Sequence, residues 1–257
     1  MSENGAGNES PVYVVLGAYG GIGSEVSRRL SGKGARLVLG GRDGEKLDSL
    51  ADETDGVPVA LDARKGDEVQ AAFERAKEEF GRVDGAVNCV GSFILKPAHL
   101  TSDEELQETL DLNLKTAFNT VRAAAKTMDA GGSVVLMSSV AARVGLANHE
   151  AVAAAKAAVT GLALSAAASY LPRGLRFNVV APGLIQTNLT ERVTSSEASR
   201  QASTELHPLG RLGEPEDIAP AIEYLLSREN GWISGQVIGV DGGLSSLRPM
   251  PRRAVRG

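Results

Sequence analysis

The stretch VYVVLGAYGGIGSEVSRRL, Val12 to Leu30, decides the fold. Its first five residues are apolar and rich in β-branched side chains, the composition of a strand buried on both faces. Glycines at Gly17, Gly21 and Gly23 then lead directly into a helical pattern from Ser24. Glycines so spaced let the backbone turn tightly and approach a pyrophosphate, whose charge settles on the free N–H groups and positive dipole of a helix N-terminus. Strand, glycine turn and helix in this order predict a bound dinucleotide, with Gly17, Tyr19, Gly21, Ile22 and Gly23 against it.

Outward from this unit the alternation repeats. Further apolar runs lie at Arg36 to Leu39, Val57 to Leu61, Gly85 to Asn88, Ser133 to Met137, Arg176 to Val180 and Gln236 to Val240. Helical stretches separate them near Gly44 to Glu53, Asp67 to Phe80, Ser102 to Met128, Glu150 to Leu171 and Pro215 to Leu226. The pattern predicts an α/β fold, a single doubly wound Rossmann-like domain whose ligands sit beyond the carboxyl ends of the strands.

Length and composition agree. The chain has 257 residues, 42% hydrophobic and 23% charged, enough for one domain that buries about 72% of its unfolded surface. Residues 1–10 form a polar, glycine-bearing start expected to be flexible, 11–245 the domain, and 246–257 a basic tail with Arg248, Arg252, Arg253 and Arg256. Within the domain, 186–210 is rich in Ser, Thr and Glu and lacks a strand pattern; it is either a flap over the site or an ordinary solvated connection. Cys89 stands alone, so neither an internal disulfide nor a thiolate metal site is available, no metal is expected, and a reduced, cytoplasmic setting follows. The apolar stretch Ala151 to Leu171 is interrupted by Lys156, Thr160, Ser165 and Ser169, which argues against a membrane span. With 27 basic and 32 acidic residues the net charge is −5, which gives no footprint for nucleic acid.

The end of the second strand selects the cofactor, because an acidic residue there bonds the ribose 2′-hydroxyl and repels a 2′-phosphate. This chain reads LVLGGRDGEKL: Gly40 and Gly41 are expected to leave space, and Arg42 offers a permanently charged donor fork. The expectation is NADP(H), unless Arg42 merely pairs with Asp43 or Glu45. Asp62 ends the third strand, placed for the adenine edge, while Asn88 and Gly91 end the fourth. Turn formation explains Asp62 and Gly91 nearly as well.

Taken together, GAYGGIG, NCVG (Asn88 to Gly91), LDLNL with Asn113, MSSVAA with Ser139, AAAKAA with Lys156, PGLIQT (Pro182 to Thr187), GRLGEPEDIA and VDGG resemble the short-chain dehydrogenase/reductase family across roughly residues 11–245. The resemblance implies a seven-stranded parallel sheet in order 3-2-1-4-5-6-7, helices on both faces, and assembly as dimers or tetramers. It also implies hydride transfer between a nicotinamide and a small-molecule alcohol, ketone or related group. Asn113 would hold a backbone kink and a relay water, Ser139 would hydrogen-bond the substrate oxygen, and Lys156 would grip the nicotinamide ribose. Pro182 and Gly183 would line the cofactor, with Ile185 and Thr187 on its carboxamide. Independently, a hydroxyl at a strand's carboxyl end and a lysine in the next helix can converge where oxyanion charge develops. The rival readings are a helix cap for Ser139 and a surface charge for Lys156.

One departure matters. The family's proton donor is a tyrosine four residues before the lysine, and that position is Val152. Tyr13, Tyr19, Tyr170 and Tyr224 all lie elsewhere in the pattern. His149, seven residues before Lys156, has a spacing similar to that of bacterial enoyl reductases and is the substitute acid; with Asn148 as N-cap it would sit in the first helical turn, where an idle, exposed imidazole is the plainer reading. Three functions follow: an NADP(H)-dependent oxidoreductase with a nonstandard or impaired donor, acting on a carbonyl, alcohol or enoyl group; a catalytically silent NADP(H)-binding sensor or structural subunit; or an engineered tyrosine-less reductase. A plain module for another phosphate ligand is the remaining possibility. The alanine-rich helix around Lys156 suits close packing in a homo-oligomer, although helix propensity alone also explains it.

Overall fold

Val12–Leu16 forms strand β1, an inner strand of a seven-stranded parallel sheet, fully buried along its length. The computed structural model describes residues 10–248, so the expected flexible start and most of the basic tail lie outside the described residues. The other strands are β2 (Arg36–Gly41), β3 (Val57–Ala60), β4 (Gly85–Asn88), β5 (Gly132–Met137), β6 (Leu175–Pro182) and β7 (Val237–Val240). Their order is β3-β2-β1-β4-β5-β6-β7, as expected. The chain reverses its direction of growth between β1 and β4, and the crevice at that switch faces the carboxyl ends.

Alternation along β1 divides the core. Val12, Val14 and Leu16 join the layer around Phe73 and Phe177, under helices α3 (Gly66–Phe80), α5 (Thr116–Thr127) and α6 (Glu150–Tyr170). Tyr13 and Val15 join the opposite layer around Leu37 and Ile218, under α1 (Gly21–Ser31), α2 (Gly44–Thr54) and α9 (Pro215–Leu226). Two covered faces explain why the strand sequences read as unbroken apolar runs.

Asp84, 5% exposed, closes the amino edge of the sheet by accepting the Val12 N–H at 2.9 Å and pairing with Arg82 and Arg228. Burial opposes its ionisation, but the Arg82 and Val12 hydrogen bonds and both arginines hold its carboxyl below the usual range.

Two local expectations are corrected. The stretch Ser102 to Met128 is not one helix: α4 (Asp103–Leu110) passes through a π turn at Asp111–Lys115 before α5 begins. Asn113, inside that turn, donates from Nδ2 to the Thr109 carbonyl at 2.9 Å and so serves an oxygen within the altered helical ladder. Secondly, α6 is capped by His149, not Asn148, which instead takes a left-handed φ of 63°. The segment after β6, in which the sequence shows no strand pattern, carries two helices, α7 (Glu191–Thr194) and α8 (Glu197–Leu206).

By length and composition alone α6 could cross a membrane, yet it packs on the sheet with Val152, Lys156, Val159 and Ala163 inward. Ala154, Ala157, Gly161, Leu164 and Ala168 form its exposed stripe. Trp232, in the approach to β7, is 100% exposed.

Candidate active site

The phosphate turn is a backbone device. Gly17 adopts φ 72°, and its N–H and that of Ala18 bond the Gly40 carbonyl, pinning the turn to β2. A side chain at Gly23 would put its Cβ 2.2 Å from the Gly17 oxygen, so only glycine lets α1 start this close to the strand. Gly20 caps α1 without a side-chain hydrogen bond, which leaves the first-turn N–H groups facing the crevice. Across it, the Thr187 methyl lies 2.6 Å from where a Gly21 Cβ would stand, so Gly21, Ile22 and Thr187 border one cleft.

At the adenosine end Arg42 is exposed and forms no ion pair with Asp43 or Glu45; Lys46 takes Asp43 at 3.1 Å. The space beside it is not open as expected. A Cβ on Gly41 would meet the Tyr19 ring at 2.5 Å, and one on Gly40 would meet Leu16 and Leu61. These glycines admit side-chain packing, with Lys46 Nζ 5.6 Å from the Tyr19 ring centre. Asp62 is held by Arg64 through a bidentate contact reaching 2.6 Å, and that hydrogen bonding lowers its carboxyl to about 2. Arg64 was not singled out in the sequence; its alternation with Asp62 two residues earlier was the available signal.

At the reaction end a cavity of about 130 Å³ brings Gly91, Ser139, Lys156, Pro182, Gly183, Ile185 and Thr187 together. Ser139 stands at the end of β5 in extended backbone, its Oγ accepting the Ala141 N–H at 3.1 Å. It is thus a helix cap, with its own hydroxyl proton still available to a substrate oxygen. Lys156 is no surface charge: it is 8% exposed, Nζ donates to the Met137 carbonyl at 2.9 Å, and burial lowers its ammonium to about 8. Ser138 fastens this helix to β5 by donating to the Lys156 carbonyl at 2.8 Å. Gly91 lets two groups close in, since its Cβ would lie 2.9 Å from Asn113 Oδ1 and 3.3 Å from Lys156 Nζ. Asn113 also donates to Ser92 Oγ at 2.9 Å. Asn88 turns inward to donate to Thr116 Oγ1 at 3.2 Å and accepts the Val90 N–H, which shapes the turn after β4.

Val152, 2% exposed, gives the cavity a hydrocarbon wall one helical turn before Lys156. His149 does not line it; its ring packs edge-on against Phe93, centroids 5.9 Å apart, and Nδ1 contacts the Ala147 oxygen at 2.7 Å. Phe93, Cys89, Leu189 and Thr190 are also part of the lining. Burial pushes the Cys89 thiol up to about 12, which keeps it protonated. Thr190 was not singled out, yet its Oγ1 accepts the Thr187 N–H at 3.1 Å and bonds the Ile185 carbonyl, shaping that loop.

A glycine turn at a helix start, with a serine and a buried lysine on one cavity at the switch point of a parallel sheet, is an arrangement of the Rossmann type. Residues 17–245 match the family model described as enoyl-(acyl carrier protein) reductase. The chain is 35% identical over 245 residues to 3-oxoacyl-[acyl-carrier-protein] reductase FabG of Thermotoga maritima, covering 92% of this chain and 98% of that protein. It is 36% identical over 248 residues to L-rhamnose 1-dehydrogenase (NAD(P)(+)) of Azotobacter vinelandii, covering 90% and 95%. A solved short-chain type dehydrogenase/reductase from Mycobacterium ulcerans superposes with a TM-score of 0.88 at 32% identity, covering 92% of this chain and 90% of that one. The chain belongs to the short-chain dehydrogenase/reductase family.

Proposed function

We propose that this protein is an NADP(H)-dependent oxidoreductase that reduces a carbonyl or conjugated enoyl group on a small molecule without the family's usual proton donor. The observation that carries this reading is the convergence of Ser139 and Lys156 on one cavity beside the glycine turn. Bound there, a reduced nicotinamide supplies hydride. Ser139 donates its hydroxyl to the substrate oxygen as negative charge develops, and the Lys156 ammonium holds the ribose hydroxyls while adding positive potential. Ile185 and Thr187, which line the same cavity, would hold the carboxamide, and Asn113, with Ser92, fixes the turn beside Lys156. Val152 stands where the resemblance puts a tyrosine and can give no proton, so the step relies on Ser139 with water, or on His149 after movement of Phe93.

Arg42, which forms no ion pair among the described residues although its charge helps to lower the Asp62 carboxyl, is the 2′-phosphate ligand. Asp62 meets the adenine edge only on the flank that Arg64 leaves open. The segment 186–210, with α7 and α8, acts as the substrate flap. The exposed small-residue stripe of α6 forms a subunit contact in a cytoplasmic homo-oligomer, and a monomeric mass in solution at working concentration contradicts that part.

The second reading, a catalytically silent NADP(H)-binding protein, is favoured by one feature, the hydrocarbon at Val152. Calorimetric titration with NADPH and then NADH tests the shared premise. Binding of NADPH at least about tenfold tighter is expected. Equal affinities overturn the role of Arg42, and binding of neither ends the case for hydride transfer.

A further inference from the structure

His207 follows helix α8 and caps it with its imidazole turned inward, 4% exposed. Both ring nitrogens are engaged. The Leu184 N–H reaches Nε2 at 3.1 Å, and Nδ1 lies 2.8 Å from the Ser203 carbonyl oxygen. A backbone amide only donates and a carbonyl only accepts, so the assignment is forced: Nε2 keeps its lone pair, Nδ1 carries the hydrogen, and the ring is neutral.

The fit around the ring is tight. A Cβ at Gly183 would stand 2.7 Å from Nε2, and Gly242, at φ 59°, closes the other side with its Cβ position 3.5 Å from that of His207. The imidazole is thus wedged between the carboxyl ends of β6 and β7 while hanging from α8. Leu184, its donor, sits between Gly183 and Ile185, both of which line the cavity with Ser139 and Lys156. One side chain ties the flap to the segment that borders the reacting ring.

We propose that His207 is a positioning residue for the nicotinamide end of the bound dinucleotide: its imidazole, accepting from the Leu184 N–H, holds the Gly183–Thr187 segment against helix α8. The proposal rests on the dinucleotide reading above. No neighbouring charged group competes for either ring nitrogen. Asp241, whose backbone packs beside Gly183, spends its two carboxylate oxygens on the Gly243 and Ser245 amides. Arg211 and Asp217, on the same small cavity as the ring, pair with each other at 2.6 Å. Arg143 approaches β7 at Gly239. On α8 itself, Arg200 and Glu205 are exposed and bonded to the Thr194 carbonyl and the Gln201 side chain. Among the described residues no carboxylate forms an ion pair with the imidazole.

The test compares NADPH with 2′,5′-ADP, which carries the adenosine end alone, on the full-length protein by calorimetry. For His207→Phe, NADPH affinity at about pH 8 is expected to fall about tenfold, while 2′,5′-ADP stays within about twofold. His207→Gln keeps an acceptor and a donor, so it is expected to retain NADPH affinity within about threefold. Equal loss of both ligands in His207→Phe, or the same NADPH loss in His207→Gln as in His207→Phe, overturns the proposal. Should His207→Phe fail to fold, His207→Leu takes its place beside His207→Gln. Variants that bind both ligands as the wild type does overturn only the role of His207, whereas a wild type that binds neither ligand removes the dinucleotide reading with it.

Discussion

At the glycine-turn end of the cleft the shaping groups are backbone: Gly17 turned to φ 72°, Gly20 capping α1, and Gly23, where a Cβ would stand 2.2 Å from the Gly17 oxygen. At the reaction end they are side chains, Ser139 and Lys156, set beside the hydrocarbon of Val152. A backbone site survives any substitution that leaves its glycines in place. A side-chain site is only as competent as each residue in it, so the two ends of one cleft can diverge while the fold stays the same. Binding and turnover are therefore separable in this chain.

The sharpest way to break this contrast is Val152→Tyr. Positioned proton transfer contributes about 10²- to 10⁴-fold, so turnover of a carbonyl substrate in steady-state assays should rise by that order while NADPH affinity holds. No gain would mean that the reaction end lacks more than an acid. Next in size, Arg42→Ala should weaken NADPH about thirtyfold, or about 2 kcal/mol, and leave NADH nearly unchanged. An equal loss would show that the adenosine end is backbone-determined too.

The smallest effect concerns stability without ligand. Lys156 titrates near 8 in the folded protein because burial disfavours its charge, against 10.5 when solvated. Between those values the unfolded chain binds the proton more readily than the folded one, so stability rises with pH and the destabilisation is complete below about pH 8. Lys156→Met should therefore stabilise the ligand-free protein at neutral pH by about 1 kcal/mol in denaturant titrations, and should flatten the rise above pH 8. A loss of stability would mean that the Met137 hydrogen bond outweighs the burial of charge.

The sheet was legible because a strand covered on both faces has no polar alternation to hide it, and β1 and β5 read as written. The phosphate turn was legible because steric demands at Gly17 and Gly23 admit no other residue. The π turn around Asn113 was not, since its residues carry the same helical periodicity as their neighbours and the anomaly lies in hydrogen-bond register. Nor was the cap of α6: Asn148 has the better capping chemistry, but its left-handed backbone hands the position to His149. Gly40 and Gly41 misled because a missing Cβ signals close approach without saying by what, and Tyr19, Leu16 and Leu61 fill the room. Pairings that depend on rotamers and join distant positions, such as His207 with Leu184, leave no periodic trace at all.

Trp232 gives the molecule a built-in optical reporter. It is the chain's one tryptophan, and its indole stands wholly in water. Its emission in the free subunit should be that of a hydrated indole, at long wavelength, and any surface that covers the approach to β7 should shift it to the blue. Because that emission overlaps the near-ultraviolet absorption band of a reduced nicotinamide, the same indole can act as an energy donor, so a single unlabelled chain reports both contact at β7 and occupancy of the cleft.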